Sequence, residues 1–217
     1  EDVGAYKVDA AIERLCKQNP FVQFEKYQEW LNIENALTIF EKYDIIVDGT
    51  DNFSTRYLIN DACVILNKPF VYASIFKFEG QLSVFNYEEG PSYRCLFPEP
   101  PKSNQLPNCS EVGVLGVLPG VLGALQANEV LKMILKVGTV LNGQLKIVNL
   151  LGGLETTLQV NRNPLVIEEV KSKGLLEDYE VFCGVNTDSE VKEISLEDAL
   201  TVTGDSNYVF LDVRESW

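Results

Sequence analysis

Histidine is absent from all 217 residues. That absence removes Ser/His and Cys/His nucleophilic pairs, imidazole acid–base chemistry and every His-ligated metal site from consideration. Positive charge is scarce as well: 18 Lys and Arg face 32 Asp and Glu, giving a formal charge of −14. Such a chain has no general attraction for nucleic-acid phosphates or anionic lipid headgroups, so neither nucleic acid nor membrane is an expected partner. No GxGxxG turn occurs, and no apolar run reaches the roughly 20 residues of a membrane span. The most apolar stretch, 112–127, contains Pro119 and several glycines and leads into Asn128, Glu129 and Lys132. It reads as a buried helix at a subunit contact. Gly113, Gly116, Gly120 and Gly123 within it read as aids to close helix packing rather than a phosphate turn. The five cysteines, Cys16, Cys63, Cys95, Cys109 and Cys183, are odd in number and widely spread. With no signal peptide read ahead of them, a reducing cytoplasm is the expected setting.

What is present is enough for one sizeable core and part of a second domain, since 46% of the residues are hydrophobic. The most informative segment runs from Tyr43 to Asn60, YDIIVDGTDNFSTRYLIN. Ile45, Ile46 and Val47 form a short apolar run that reads as a buried strand, and a helical pattern begins at Ser54. Between them stand Asp48, Asp51 and Asn52. In an open α/β sheet, ligands occupy the crevice beyond the carboxyl ends of the strands, where these residues fall. Asp–Asn at a strand end is equally good turn and helix-cap chemistry, and from this segment alone both readings stand.

Elsewhere the pattern alternates between helix and strand. Lys7–Cys16 reads as a helix with Val8, Ala11, Ile12 and Leu15 on one face, stopped by Asn19 and Pro20. Phe21–Tyr27 alternates like a strand, Ile33–Lys42 reads as helix, and Phe70–Ser74 as another strand. Gly80–Tyr87 reads as a less buried strand. Residues 91–108 form a proline-rich loop with Pro98, Pro100, Pro101 and Pro107. A long helix from Leu118 to Val137 precedes strands at Gly143–Leu150 and Leu154–Val160, separated by a Gly152–Gly153 turn. The implied fold is α/β, a doubly wound Rossmann-like sheet with additional antiparallel strands.

GAYKVDAAIERLCKQNP, the Tyr43–Asn60 segment, FEGQLSVFNYEEGPSYRCLFPEPP and NCSEVGVLGVLPGVLGALQANEVLKMI occur in that order. Together they resemble the MoeB/ThiF/HesA family, adenylyltransferases related to ubiquitin-activating enzymes. The resemblance implies ATP-dependent adenylation of the C-terminal glycine of a ubiquitin-like sulfur carrier protein of the MoaD/ThiS type, in molybdopterin or thiamine synthesis. It implies that Lys7 contacts ATP phosphates, that Asp51 binds magnesium beside the triphosphate, with Asn52 next to it, and that Arg56 lies near the reacting end of the substrate. A surface ion pair of Arg56 with Asp61 or Glu41 is the alternative. Cys109 aligns with the cysteine that some members use as a thioester or persulfide acceptor, the alternative being a small semi-buried residue without chemistry. The family's glycine-rich turn precedes the region where this chain begins, so an N-terminal truncation is expected, and with it inactivity of this chain by itself.

Many relatives carry zinc on two CxxC pairs. Here the corresponding positions are Ser92 with Cys95 and Glu180 with Cys183, a poor set for a closed site, so no zinc is expected and packing should replace it. Residues 162–189 read as linker. EISLEDAL with NYVFLDVRESW in 190–217 resembles the opening of a rhodanese domain, leaving 1–161 as the adenylyltransferase domain. The half-finished sheet and the apolar 112–134 stretch suggest a homodimer. Two rivals remain: a carrier-docking module without catalysis, and a dinucleotide-dependent oxidoreductase, which lacks both the fingerprint turn and an obvious hydride-chemistry residue.

Overall fold

The computed structural model describes residues 3–101, 113–184, 195, 200 and 201. The chain divides into two units, 1–184 and 185–217. The rhodanese resemblance falls in the second, mostly outside the described residues. The first unit carries all of the secondary structure that follows.

Its elements, in chain order, are α1 (Lys7–Gln18), α2 (Ala36–Phe40), β1 (Ile46–Val47), α3 (Phe53–Leu66), β2 (Phe70–Phe76) and β3 (Glu79–Phe85). There follow α4 (Tyr93–Leu96), α5 (Leu118–Leu135), β4 (Gln144–Asn149), β5 (Leu154–Gln159), α6 (Pro164–Lys173) and α7 (Tyr179–Phe182). The strands lie in sequence order in one sheet. β1 and β2 are parallel, pairing Ile46 with Phe70 and Val47 with Val71, and the remaining neighbours are antiparallel.

Alternation along β2 sends side chains to opposite faces. Phe70 and Tyr72 join Tyr57, Phe85 and Tyr93 in an aromatic core under α3 and α4. Val71 turns the other way, with Val84 and Met133, while Ala73 and Ile75 pack with Leu82, Leu118 and Leu122 under α5. Helices therefore cover both faces, as a doubly wound arrangement requires. The approach of α5 to β3 is close: a Cβ at Gly80 would lie 2.8 Å from Leu122 Cγ.

Four local expectations are corrected. Phe21–Tyr27 is not a strand; Phe21 is 94% exposed, and none of the five strands borders the segment to take its backbone donors and acceptors. The helix expected over Ile33–Lys42 contracts to α2, because Asn32 Oδ1 accepts from Glu34 and Asn35 N–H and Asn35 Oδ1 accepts from Asn32 N–H. That local turn competes with helix formation. β3 is deeply buried from Leu82 to Phe85, not half-exposed. Residues 162–184, read as linker, fold onto α3 through α6 and α7; Ile167 and Val170 bury against Val64, and their i, i+3 spacing was the signal. Two smaller differences follow. The proline-rich loop contains the single turn α4, and Gly113, Gly116, Gly120 and Gly123 serve no close packing among the described residues, since a Cβ at each would meet nothing within 4 Å.

Candidate functional site

The site is built where β1 ends. Asp48 continues the parallel ladder by one bond, its N–H donating to Val71 O at 3.0 Å, and its carboxylate is almost wholly buried. Oδ1 accepts from Thr50 N–H at 2.7 Å and from Thr50 Oγ1 at 2.6 Å. Oδ2 accepts from Arg56 Nε at 2.9 Å. Arg56 then spends its remaining donors on Thr50 O at 2.9 Å, with longer contacts of 3.5 Å to Ala73 O and Ser74 Oγ. Its guanidinium lies 5.1 Å from the Tyr72 ring centroid. Burial, the largest influence on Arg56, acts to lower its pKa, but the charge and hydrogen bond of Asp48 together with the Tyr72 and Tyr93 phenols outweigh it and hold the group above the ordinary value. The guanidinium is a fixed cation.

A third anchor comes from α5. Gln126, 8% exposed, donates from Nε2 to Asp48 O at 2.7 Å and to Val71 O at 3.2 Å. The turn 48–51 is thus tied through its first side chain, its first carbonyl and its third carbonyl. Asp51 follows, exposed to solvent. Asn52 is the N-cap of α3, accepting from Thr55 N–H at 2.8 Å and Ser54 Oγ at 2.9 Å, which satisfies donors that a helix start leaves free. One carboxylate of the pair is consumed in building the turn, and the other is presented by it.

Of the residues singled out by sequence, the structure gathers Asp51, Asn52 and Arg56 on one turn and the helix it begins. Lys7 stands at the exposed start of α1, without a bond to that turn. Cys109 and its neighbour Glu111 lie outside the described residues. The ion-pair alternative for Arg56 is corrected: its partner is Asp48, and the pair is buried rather than on the surface. Asp61 instead holds Arg94, at 2.7 and 2.8 Å, while Tyr179 Oη donates to Asp61 Oδ2 at 2.8 Å. The Arg94 guanidinium lies 4.8 and 4.7 Å from the centroids of the Tyr57 and Phe182 rings, which meet edge to face. Beside it the Cys95 thiol takes N–H bonds from Ser92 and Asn163, both at 3.3 Å. Gln126 is a site residue that the sequence reading of the apolar 112–127 stretch does not single out. The signal was there, because an amide in a helix that apolar must find buried partners.

Among the described residues, no three His, Cys, Asp or Glu side chains are grouped to hold a metal by themselves. A magnesium ion bound with triphosphate oxygens and water needs only one or two carboxylates, and exposed Asp51 is a ligand of the right hardness. No helix among the described residues is long and apolar enough to cross a membrane.

A Rossmann-type α/β domain, with an acidic turn beyond the end of its parallel strand β1, is the class that this fold and site define. Within that class the chain belongs to the ThiF family, whose model matches residues 1–166. It is 47% identical over 192 residues to the sulfur carrier protein adenylyltransferase of Thermus thermophilus, covering 85% of this chain and 71% of that one. It is 40% identical to the adenylyltransferase and sulfurtransferase MOCS3 of Culex quinquefasciatus, covering 98% of this chain and 51% of the relative. The probable adenylyltransferase/sulfurtransferase MoeZ of Mycobacterium tuberculosis is 39% identical, with 86% and 48% covered. Apart from the Thermus protein, the chain spans about half the length of these relatives. The E. coli MccB crystal structure with ATP shares the fold at a TM-score of 0.63 and 18% identity, over 76% of this chain and 51% of that one.

Proposed function

We propose that the protein to which this chain belongs adenylates the C-terminal glycine of a ubiquitin-like sulfur carrier protein, using ATP and magnesium. Membership in the ThiF family and the names of its relatives support the reaction class. The observation that carries the reading to particular residues is the exposed Asp51 on a turn pinned from two helices.

The carrier's carboxylate is ionised at neutral pH and needs no protein base. One of its oxygens forms a bond to the α-phosphorus of ATP while the bond from that phosphorus to the bridging oxygen breaks, and pyrophosphate leaves with the electron pair. Absence of histidine is therefore no obstacle. What the protein must supply is alignment and neutralisation of phosphate charge. Lys7 and a magnesium ion at Asp51 fill that role in this reading, with Asn52 fixing the start of α3. Arg56, spent on the turn, serves through Asp48 and Thr50. Magnesium, when bound, draws charge from the phosphate oxygens. Cys109 is the proposed acceptor for any later thioester or persulfide, the cytoplasm the proposed setting, molybdopterin or thiamine synthesis the proposed pathway, and a homodimer the proposed assembly.

The test is ATP–pyrophosphate exchange by the full-length protein with a carrier ending in Gly-Gly. Asp51→Ala is expected to lower exchange by about a hundredfold, the scale on which removal of one preorganised electrostatic group acts. Exchange unchanged in the variant overturns the assignment. Retention of NAD with no binding of ATP would favour the oxidoreductase instead.

A further inference from the structure

We propose that Gln126 is a positioning residue that keys the Asp51 turn to α5. The inference rests on the reading of Asp51 as the magnesium–triphosphate ligand, but its physical basis is separate. β1 is only two residues long, so few ladder bonds define where it stops. Val71 O already accepts the Asp48 N–H, and Gln126 Nε2 fills its second acceptor position while also capping Asp48 O. A single amide therefore ties the end of β1 to the second residue of β2. Two donors meet Val71 O on β2, and Asp48 O, the first carbonyl past β1, is held by the same nitrogen.

Arg56 fixes the turn from α3, through Asp48 Oδ2 and Thr50 O. That clamp leaves Asp48 O without its α5 anchor, and the single Asp48 N–H bond to Val71 O as the one ladder bond past β1 that opposes a shift along the strand direction, so the turn retains some freedom. Gln126 removes this freedom. It does so from a helix whose neighbouring positions pack on the sheet through Leu122 and Met133, so the turn inherits the position of α5 on that sheet. A carboxylate that must meet a metal-bound triphosphate is sensitive to displacements near 1 Å. Gln126 never touches substrate in this scheme; it sets where Asp51 stands.

The deciding experiment uses the full-length protein with Gln126→Met, which keeps the side-chain length and loses the donor. Two measurements are made: KM for MgATP and for the carrier in pyrophosphate exchange, and amide hydrogen exchange across 48–52 and within α5. The expected result is a rise of about tenfold in KM for MgATP, no change in KM for the carrier, and faster exchange at 48–52 with α5 protection retained. Equal exchange at 48–52 in the two proteins overturns the proposal, whatever the kinetics. A rise in both KM values together with lost α5 protection also overturns it, by showing a general packing role. If the wild-type protein performs no pyrophosphate exchange, the adenylation reading falls, while hydrogen exchange still decides whether Gln126 holds the turn.

Discussion

At the scale of single residues, burial here makes ionisable groups quiet. Cys183 is 8% exposed; burial pushes its thiol up from the ordinary 9.0 to about 11, partly offset by the nearby Arg94 charge. Burial likewise raises the phenols of Tyr57, Tyr93 and Tyr179. The sign of the linkage follows. Between pH 9 and about 11 the unfolded chain has lost the Cys183 proton and the folded chain keeps it, so the folded state binds more protons and stability falls as pH rises. Below pH 9 this contribution is complete. Thermal unfolding followed from pH 7 to 11 should show stability declining from about pH 9 in the native protein, and Cys183→Ala should make the decline shallower without moving its onset, because burial also holds the Cys63 thiol above its ordinary 9.0, before the tyrosines of ordinary pKa 10.0 join. An unchanged profile in the variant would mean that the thiol carries none of it.

Among elements, the decisive joint is that of α3, α4 and α7. Asp61 on α3 receives Arg94 from α4 and Tyr179 from α7, and Asn60 Nδ2 adds a bond to the same carboxylate at 2.9 Å. Breaking such a buried pair from one side leaves an uncompensated charge, which costs about 3–5 kcal/mol. Arg94→Met should therefore destabilise the protein by that order in urea unfolding, whereas Arg94→Met combined with Asp61→Asn should recover part of the loss. Near-equal effects of single and double variants would deny the coupling. This joint was only half legible in the sequence. Ser92, Cys95, Glu180 and Cys183 were recognised as two corresponding pairs, but Arg94, Asp61 and Tyr179 are separated by up to 118 positions, and nothing local announces a long-range ion pair. What did read out was whatever depends on period and capping: α1, α3 with its Asn52 start, α5, and β2 to β5. Phe21–Tyr27 was misread because alternation alone does not supply a neighbouring strand. The candidate turn was legible as a position, from an apolar run ending in acid, but the division of labour between Asp48 and Asp51 was not. It depends on Arg56 and Gln126 arriving from two different helices.

At the scale of the molecule, the outward side of α5 is an apolar surface exposed among the described residues. Its inner side is spent on the sheet, yet Leu131, Ile134 and Leu135 are 54%, 62% and 62% exposed, and Val137 just beyond the helix is 53% exposed. Apolar groups contiguous on one helix face are the usual mark of an interface. Against association stands the formal charge of −14 on each copy, whose repulsion is long-ranged at low salt and screened within about 10 Å at 0.1 M. The two effects make a dimer through α5 recognisable by its response to salt. Sedimentation of the full-length protein should show tighter self-association as sodium chloride is raised, because screening removes repulsion while apolar burial persists. Leu131→Glu with Leu135→Glu should yield monomer at every salt concentration, since it places like charges where apolar surface would have met. Both positions point away from the Gln126 contact, so a variant that is monomeric yet keeps its fold would also tell whether adenylation needs the second copy. Dimer persisting in this variant would place the interface elsewhere.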